Sequence, residues 1–164
     1  MQSSIPTRLI VSDSRKASLY SGSLSRERAD ALPRVRLELA EVLKSPWQDF
    51  HEHGRPNALG RGPSTNASQY FVGEGNERAE LERRFAGEVA AWIAKKSAEA
   101  PEAAVVAFAD PRFLGHLRSA CSAIRLEATV ERGEFSWLRP AELAAHPSIR
   151  AALGSAAFRP AGTR

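Results

Sequence analysis

A chain of 164 residues, 43% hydrophobic and 26% charged, is long enough to bury its own core, and its one cysteine excludes both a disulfide framework and a cysteine-rich zinc site. No run approaches the ~18 consecutive apolar residues of a membrane span. The opening MQSSIPTRLIVSDSRK also lacks a basic stretch followed by a long apolar core, as expected of a mature cytoplasmic protein. Its 23 basic against 19 acidic side chains leave a net charge of +4, a hint of acidic partners such as nucleic acid.

One domain over 1–164 is expected, with no internal repeat. The first element is a strand at 8–12, where Leu9, Ile10 and Val11 stop at the turn residues Asp13-Ser14-Arg15. At 16–22, Ala17, Leu19 and Ser21 alternate with Lys16, Ser18 and Tyr20, the period of a half-buried strand, so the two segments form a hairpin. Val35, Leu37 and Leu39 alternate with Arg34, Arg36 and Glu38 to give a third strand, whose tail at 40–43 suits strand or helix equally.

From 45 to 75 the pattern dissolves into a glycine- and proline-rich loop of about 30 residues, a length that usually marks function or disorder. Asn76 is placed to cap the next helix, with Glu77 and Glu80 in its first turn. Leu81, Phe85, Val89, Trp92 and Ile93 form its apolar face, opposite Glu82, Arg83, Arg84, Glu88, Lys95 and Lys96.

The unbroken run 103–109, AAVVAFA, reads as a central parallel strand covered on both faces. Asp110-Pro111 ends it and opens a helix, aspartate as cap and proline in the first turn, with Phe113, Leu114, Leu117 and Cys121 on its buried side. Leu126, Ala128 and Val130 alternate as a last strand. The stretch 139–153 is helical in character, broken at Pro147, and a frayed tail follows from 154. This order predicts an α/β sandwich with a mixed sheet flanked by helices.

The chemistry-bearing residues point in several directions. His51 and His53, beside Asp49 and Glu52, match neither a structural zinc spacing nor the helical H-E-x-x-H pattern, and read as solvated loop histidines. Cys121 falls on an apolar helix face, where cysteine packs as a small hydrophobe. No G-x-S-x-G elbow occurs, and neither GRGPSTN nor GEGN meets the requirements of a phosphate loop.

Asp13 ends the first strand and Asp110 the central one, so in a mixed sheet the two can lie at neighbouring strand ends. Paired carboxylates of that kind hold magnesium in two-metal nucleases, Glu38 being the one candidate third acid. Against that alternative, Asp13 is explained as a turn residue and Asp110 as a helix cap. Without it, no metal or cofactor is expected.

The loop offers Lys44, Arg55 and Arg61 among Trp47, Phe50 and Tyr70, with the amides Asn57, Asn66 and Gln69. Guanidinium groups beside aromatics and amides hold phosphates and stack bases. The same loop also reads as a polar segment anchored by its aromatics. Asp49, Glu52 and Glu74 leave it neutral, and the basic surplus lies mainly at the two ends of the chain, above all in the tail with Arg139, Arg150, Arg159 and Arg164.

The segment ADPRFLGHLR (109–118), the opening strand ending in V-S-D and the helix containing RRFAGEVAAWI together resemble a bacterial family described as proteins required for attachment to host cells. That family is similar to the central domain of archaeal and eukaryotic peptide-release factors, which implies an RNase H-like fold over about 8–153. Pro111, Leu114, Gly115, Leu117 and Arg118 carry the most specific part of the resemblance.

Gly115 in a helix costs roughly 1 kcal/mol relative to alanine, so close packing of its backbone is expected. Arg112 and Arg118 project from the helix start and the next turn. Release factors act through a Gly-Gly-Gln tripeptide in the loop that corresponds to 45–75, and here Gln69 instead follows Ala67-Ser68. The resemblance therefore implies the fold and an association with translation rather than peptide release. The functional expectation is a non-enzymatic cytoplasmic module that binds the ribosome or structured RNA through Arg55, Arg61, Asn66, Gln69, Arg112 and Arg118. Its alternatives are a magnesium-dependent nuclease or hydrolase using Asp13 and Asp110, and an indirect role in attachment.

Overall fold

The computed structural model describes residues 4–47 and 67–158, with side chains from residue 75 onward in the second stretch. Strands β1 (Ile5–Ser12) and β2 (Lys16–Ser25) form the expected antiparallel hairpin. Its turn is closed by Asp13 N–H donating to the Lys16 carbonyl at 2.9 Å, while Asp13 Oδ1 accepts from the N–H groups of Arg15 and Lys16 at 2.7 and 2.9 Å. A short carboxylate that accepts from the backbone two and three residues on is the reason Asp favours such turns.

β3 (Arg34–Lys44) pairs with β2 along its whole length, so the 40–43 tail is strand, not helix. Its register shifts between Leu19 and Tyr20, which lie opposite Glu41 and Leu39, so Ala40 is an inserted residue. A bulge of this kind reverses the side-chain alternation. Val35 and Leu37 therefore join one core, whereas Leu43 packs against the other.

α1 (Ala67–Glu99) begins well before the expected cap, so 67–75 is helix and Asn76 lies inside it. Gly73 and Gly75 read as breakers because each costs roughly 1 kcal/mol in a helix. Once a packed segment nucleates the helix, propagation adds one hydrogen bond per residue, and that cost is absorbed.

β4 (Ala104–Ala109) lies between β1 and β5 (Thr129–Arg132) and runs parallel to both, giving the sheet order β3-β2-β1-β4-β5. Its burial on both faces accounts for the unbroken apolar run. Val106 and Phe108 point to one layer, Ala107 and Ala109 to the other.

α2 (Pro111–Ala123) starts at Asp110 as expected, with Asp110 Oδ1 accepting from Phe113 N–H at 2.7 Å. Removing that acceptor in Asp110→Ala is expected to cost about 1 kcal/mol of stability, against little for Asp110→Asn. Urea midpoints of the two variants check this. The helix ends with Leu126 N–H on the Cys121 carbonyl at 2.9 Å and Arg125 at φ 55°, a left-handed closure. That closure keeps Leu126 and Ala128 off the ladder, so β5 is shorter than the predicted 126–131, although both side chains still pack on the core.

Two short helices follow, α3 (Pro140–Ala145) and α4 (Pro147–Ala157), divided at His146, whose Nδ1 accepts from Ser148 N–H at 3.2 Å. The helix continues through Gly154 rather than fraying there. Gly154 lies beneath Pro33, where a Cβ would come within 3.2 Å of the proline ring.

α1 and α2 cover one face of the sheet through Phe85, Val89, Ile93, Phe113 and Leu117, set against Ile10, Leu19 and Ala107. α3 and α4 cover the other through Leu143, Ile149 and Leu153, set against Leu9, Val11, Leu24 and Phe108. The result is a three-layer α/β/α sandwich.

Two expectations about helix faces need correction. Glu82 and Lys96, placed on the solvent side of α1, are only 3% and 9% exposed. Gly115 is exposed, with nothing within 4 Å of an added Cβ, so close packing does not explain it.

Candidate functional site

Ligands of open α/β sheets gather outside the carboxyl ends of the parallel strands, where the connections diverge. Here that point lies between β1 and β4. β1 turns back into β2, while β4 leaves through α2 toward β5. Ser12 and Ala109 are paired in register, and Asp110 N–H donates to the Ser12 carbonyl at 3.2 Å. The structure therefore brings Asp13 and Asp110 to adjacent strand ends, as expected.

Each carboxylate is engaged by backbone N–H groups, one in the hairpin turn and one at the α2 cap. Glu38 stands apart from both. It pairs with Ser21, which lies opposite Arg8, two strands across and several residues below Asp13. Among the described residues no group of three or more His, Cys, Asp or Glu side chains could hold a metal ion. Of the three acids considered, the structure brings only Asp13 and Asp110 to neighbouring positions.

The same edge gathers positive charge. Arg15 and Lys44 are exposed and Lys16 is half-buried, with Lys16 directly opposite Lys44. Across the edge, Glu82 of α1 is surrounded by Arg78 Nε at 3.2 Å, Arg112 Nε at 3.8 Å and His116 Nε2 at 3.8 Å. One buried carboxylate between two guanidiniums leaves a surplus of positive charge. The side chains of Arg112 and Arg78 remain 64% and 46% exposed, so that surplus faces solvent. Glu82 thus accepts a hydrogen bond from Arg78 and lies within ion-pair distance of Arg112 in the first turn of α2, next to Asp110.

This cluster is the part that sequence reasoning missed. Residues 82, 86, 89, 93 and 96 recur at steps of four and three, so the apolar stripe itself contains Glu82 and Lys96 at its two ends. At the far end Lys96 Nζ meets Glu41 at 2.6 Å and Glu99 at 3.3 Å, which raises the lysine pKa and lowers that of Glu41. On the exposed side of α1, hydrogen bonds from Arg83 and Arg84 hold the Glu80 carboxyl down to about 2.

The other expected residues divide. Arg118 does not join the edge. Its Nε and Nη2 donate to the Val130 carbonyl at 3.3 and 3.0 Å, tying α2 to β5. Gln69 lies in the first turn of α1 rather than in a loop. Arg55, Arg61 and Asn66, like His51 and His53, lie outside the described residues. The described chain leaves this edge at Trp47, after Ser45 N–H donates to the Arg15 carbonyl at 2.8 Å. Cys121 is 5% exposed, and burial pushes its thiol pKa up, away from nucleophilic use.

Fold and site together define an α/β sandwich with a five-stranded mixed sheet and a cation-bearing carboxyl edge. The family model described as "Protein required for attachment to host cells" matches residues 9–146, and the chain belongs to that family. No curated protein matches it. Among the described residues no helix is long and apolar enough to cross a membrane.

Proposed function

We propose that this member of the host-attachment family is a cytoplasmic, non-enzymatic module that binds RNA, on the ribosome or in another structured form, through the carboxyl edge of its sheet. The observation that carries the reading is the Glu82 cluster, which presents the guanidiniums of Arg112 and Arg78 to solvent beside Asp110. Guanidiniums held in this way suit phosphate oxygens, which they approach as planar forks.

The strand order, with β2 antiparallel to its neighbours, suits an RNase H-like sheet and supports kinship with the release-factor central domain. Arg55, Arg61, Asn66 and Gln69 complete the proposed surface. On this reading the attachment in the family's description is an indirect consequence of the binding activity.

The test is co-sedimentation with ribosomes and binding to a structured RNA at low salt. Binding is expected to fall steeply as salt rises, to weaken with Arg112→Ala, and to vanish with Arg55→Ala plus Arg61→Ala. No binding by the unaltered protein at low salt would overturn it.

A second reading rests on the register of Ser12 with Ala109, which sets Asp13 and Asp110 at adjacent strand ends: a magnesium-dependent nuclease or hydrolase. It predicts metal-dependent loss of the RNA itself, abolished by Asp13→Asn.

A further inference from the structure

The sheet has two edges, and they are treated differently. β5 is only four residues long, and Arg118 folds across it onto the Val130 carbonyl, two devices that blunt an edge against pairing. β3 is eleven residues long and has β2 as its single neighbour in the sheet. No hydrogen bond outside the ladder joins the backbone of residues 34–39 to any other described residue. Leu39 is 53% exposed, and Arg34, Arg36 and Glu38, which alternate with Val35 and Leu37, are exposed.

We propose that residues 34–40 of β3 form a homodimer interface, in which a second copy of this chain adds its own β3 antiparallel about a two-fold axis at Leu37. The order of side chains along the strand is self-complementary in that register. On one face Val35 lies opposite Leu39 of the second copy and Leu37 opposite its counterpart, a continuous apolar ladder. On the other face Arg36 lies opposite Glu38 of the second copy, twice by symmetry, and Arg34 lies opposite Ala40.

Sliding the pairing by two residues in one direction sets Arg36 against Arg36, so its two Arg34–Glu38 pairs come with a like-charge contact, and in the other direction sets Glu38 against Glu38 and leaves Arg36 opposite Ala40. A slip of one residue sets the apolar side chains against the charged ones. The bulge at Ala40 marks where the regular stretch ends, so it bounds the interface. The product is a ten-stranded sheet closed by an isologous contact, which has no further free partner and does not grow into fibres.

The experiment is sedimentation equilibrium over a concentration series, with circular dichroism melts confirming that each variant is folded. The unaltered protein is expected to show a reversible dimer. Arg36→Glu and Glu38→Arg should each weaken it by about tenfold or more, because each creates two like-charge pairs. The double variant Arg36→Glu with Glu38→Arg should recover the dimer to within a few-fold, since the two pairs are rebuilt with their signs exchanged. Leu39→Lys, at an already exposed position, should weaken the dimer without lowering the melting temperature. A monomer up to about 0.1 mM, a dimer indifferent to the single swaps, or a double variant that fails to recover would each overturn the proposal.

Discussion

Phe85→Ala is expected to lower the free energy of unfolding by about 3–5 kcal/mol, the largest loss from any one side chain of α1. Phe85 is fully buried where α1 meets α2, with its ring 5.8 Å from that of Phe113. It is also one turn from Glu82, so it sets the height at which the two helices meet above the sheet. Truncation removes a large apolar surface and leaves a cavity that rigid neighbours on three elements cannot close. The loss should appear as a lower urea midpoint with an unchanged slope. It should also weaken any function that depends on Arg112, because the spacing of α1 and α2 positions that arginine.

Gly22→Ala is expected to cost about 3 kcal/mol, the upper end of what overpacking does. Gly22 of β2 lies opposite Leu37, and an added Cβ would overlap the carbonyl of Arg36. The obstructing atoms belong to backbone, so no rotamer change relieves the clash and the strand pair must part. Amide hydrogen exchange should therefore accelerate locally in β2 and β3 while α2 keeps its protection. Gly115→Ala supplies the contrast. Nothing lies within 4 Å of its added Cβ, so alanine should stabilise α2 by about 0.5–1 kcal/mol.

Much of the fold was legible because its signals are local. The turn chemistry of Asp13 announced the hairpin, the short apolar run at 8–12 announced β1, the unbroken run at β4 announced a strand covered on both faces, and Asp110-Pro111 announced the start of α2. What escaped depends on partners far along the chain. The bulge at Ala40 reverses a face with no residue that marks it, and Gly154 is tolerated because Pro33, more than a hundred residues earlier, covers it.

The same holds for the site. Arg112 could be picked out beside Asp110, but Glu82, which lies within ion-pair distance of it, looked like an ordinary surface charge until α2 was laid against α1. Arg118 lies on the same helix as Arg112, and only the position of β5 shows that its guanidinium is used within the fold.

The most direct test of the binding reading is one gel-shift titration of the purified protein on an end-labelled structured RNA, with magnesium present and salt varied, in which complex and RNA integrity are read together. The predicted result is intact RNA in a complex whose affinity falls linearly on a log–log plot against salt and drops further with Arg112→Ala. No complex at low salt, or RNA cut in magnesium by the unaltered protein but not by Asp13→Asn, would contradict it.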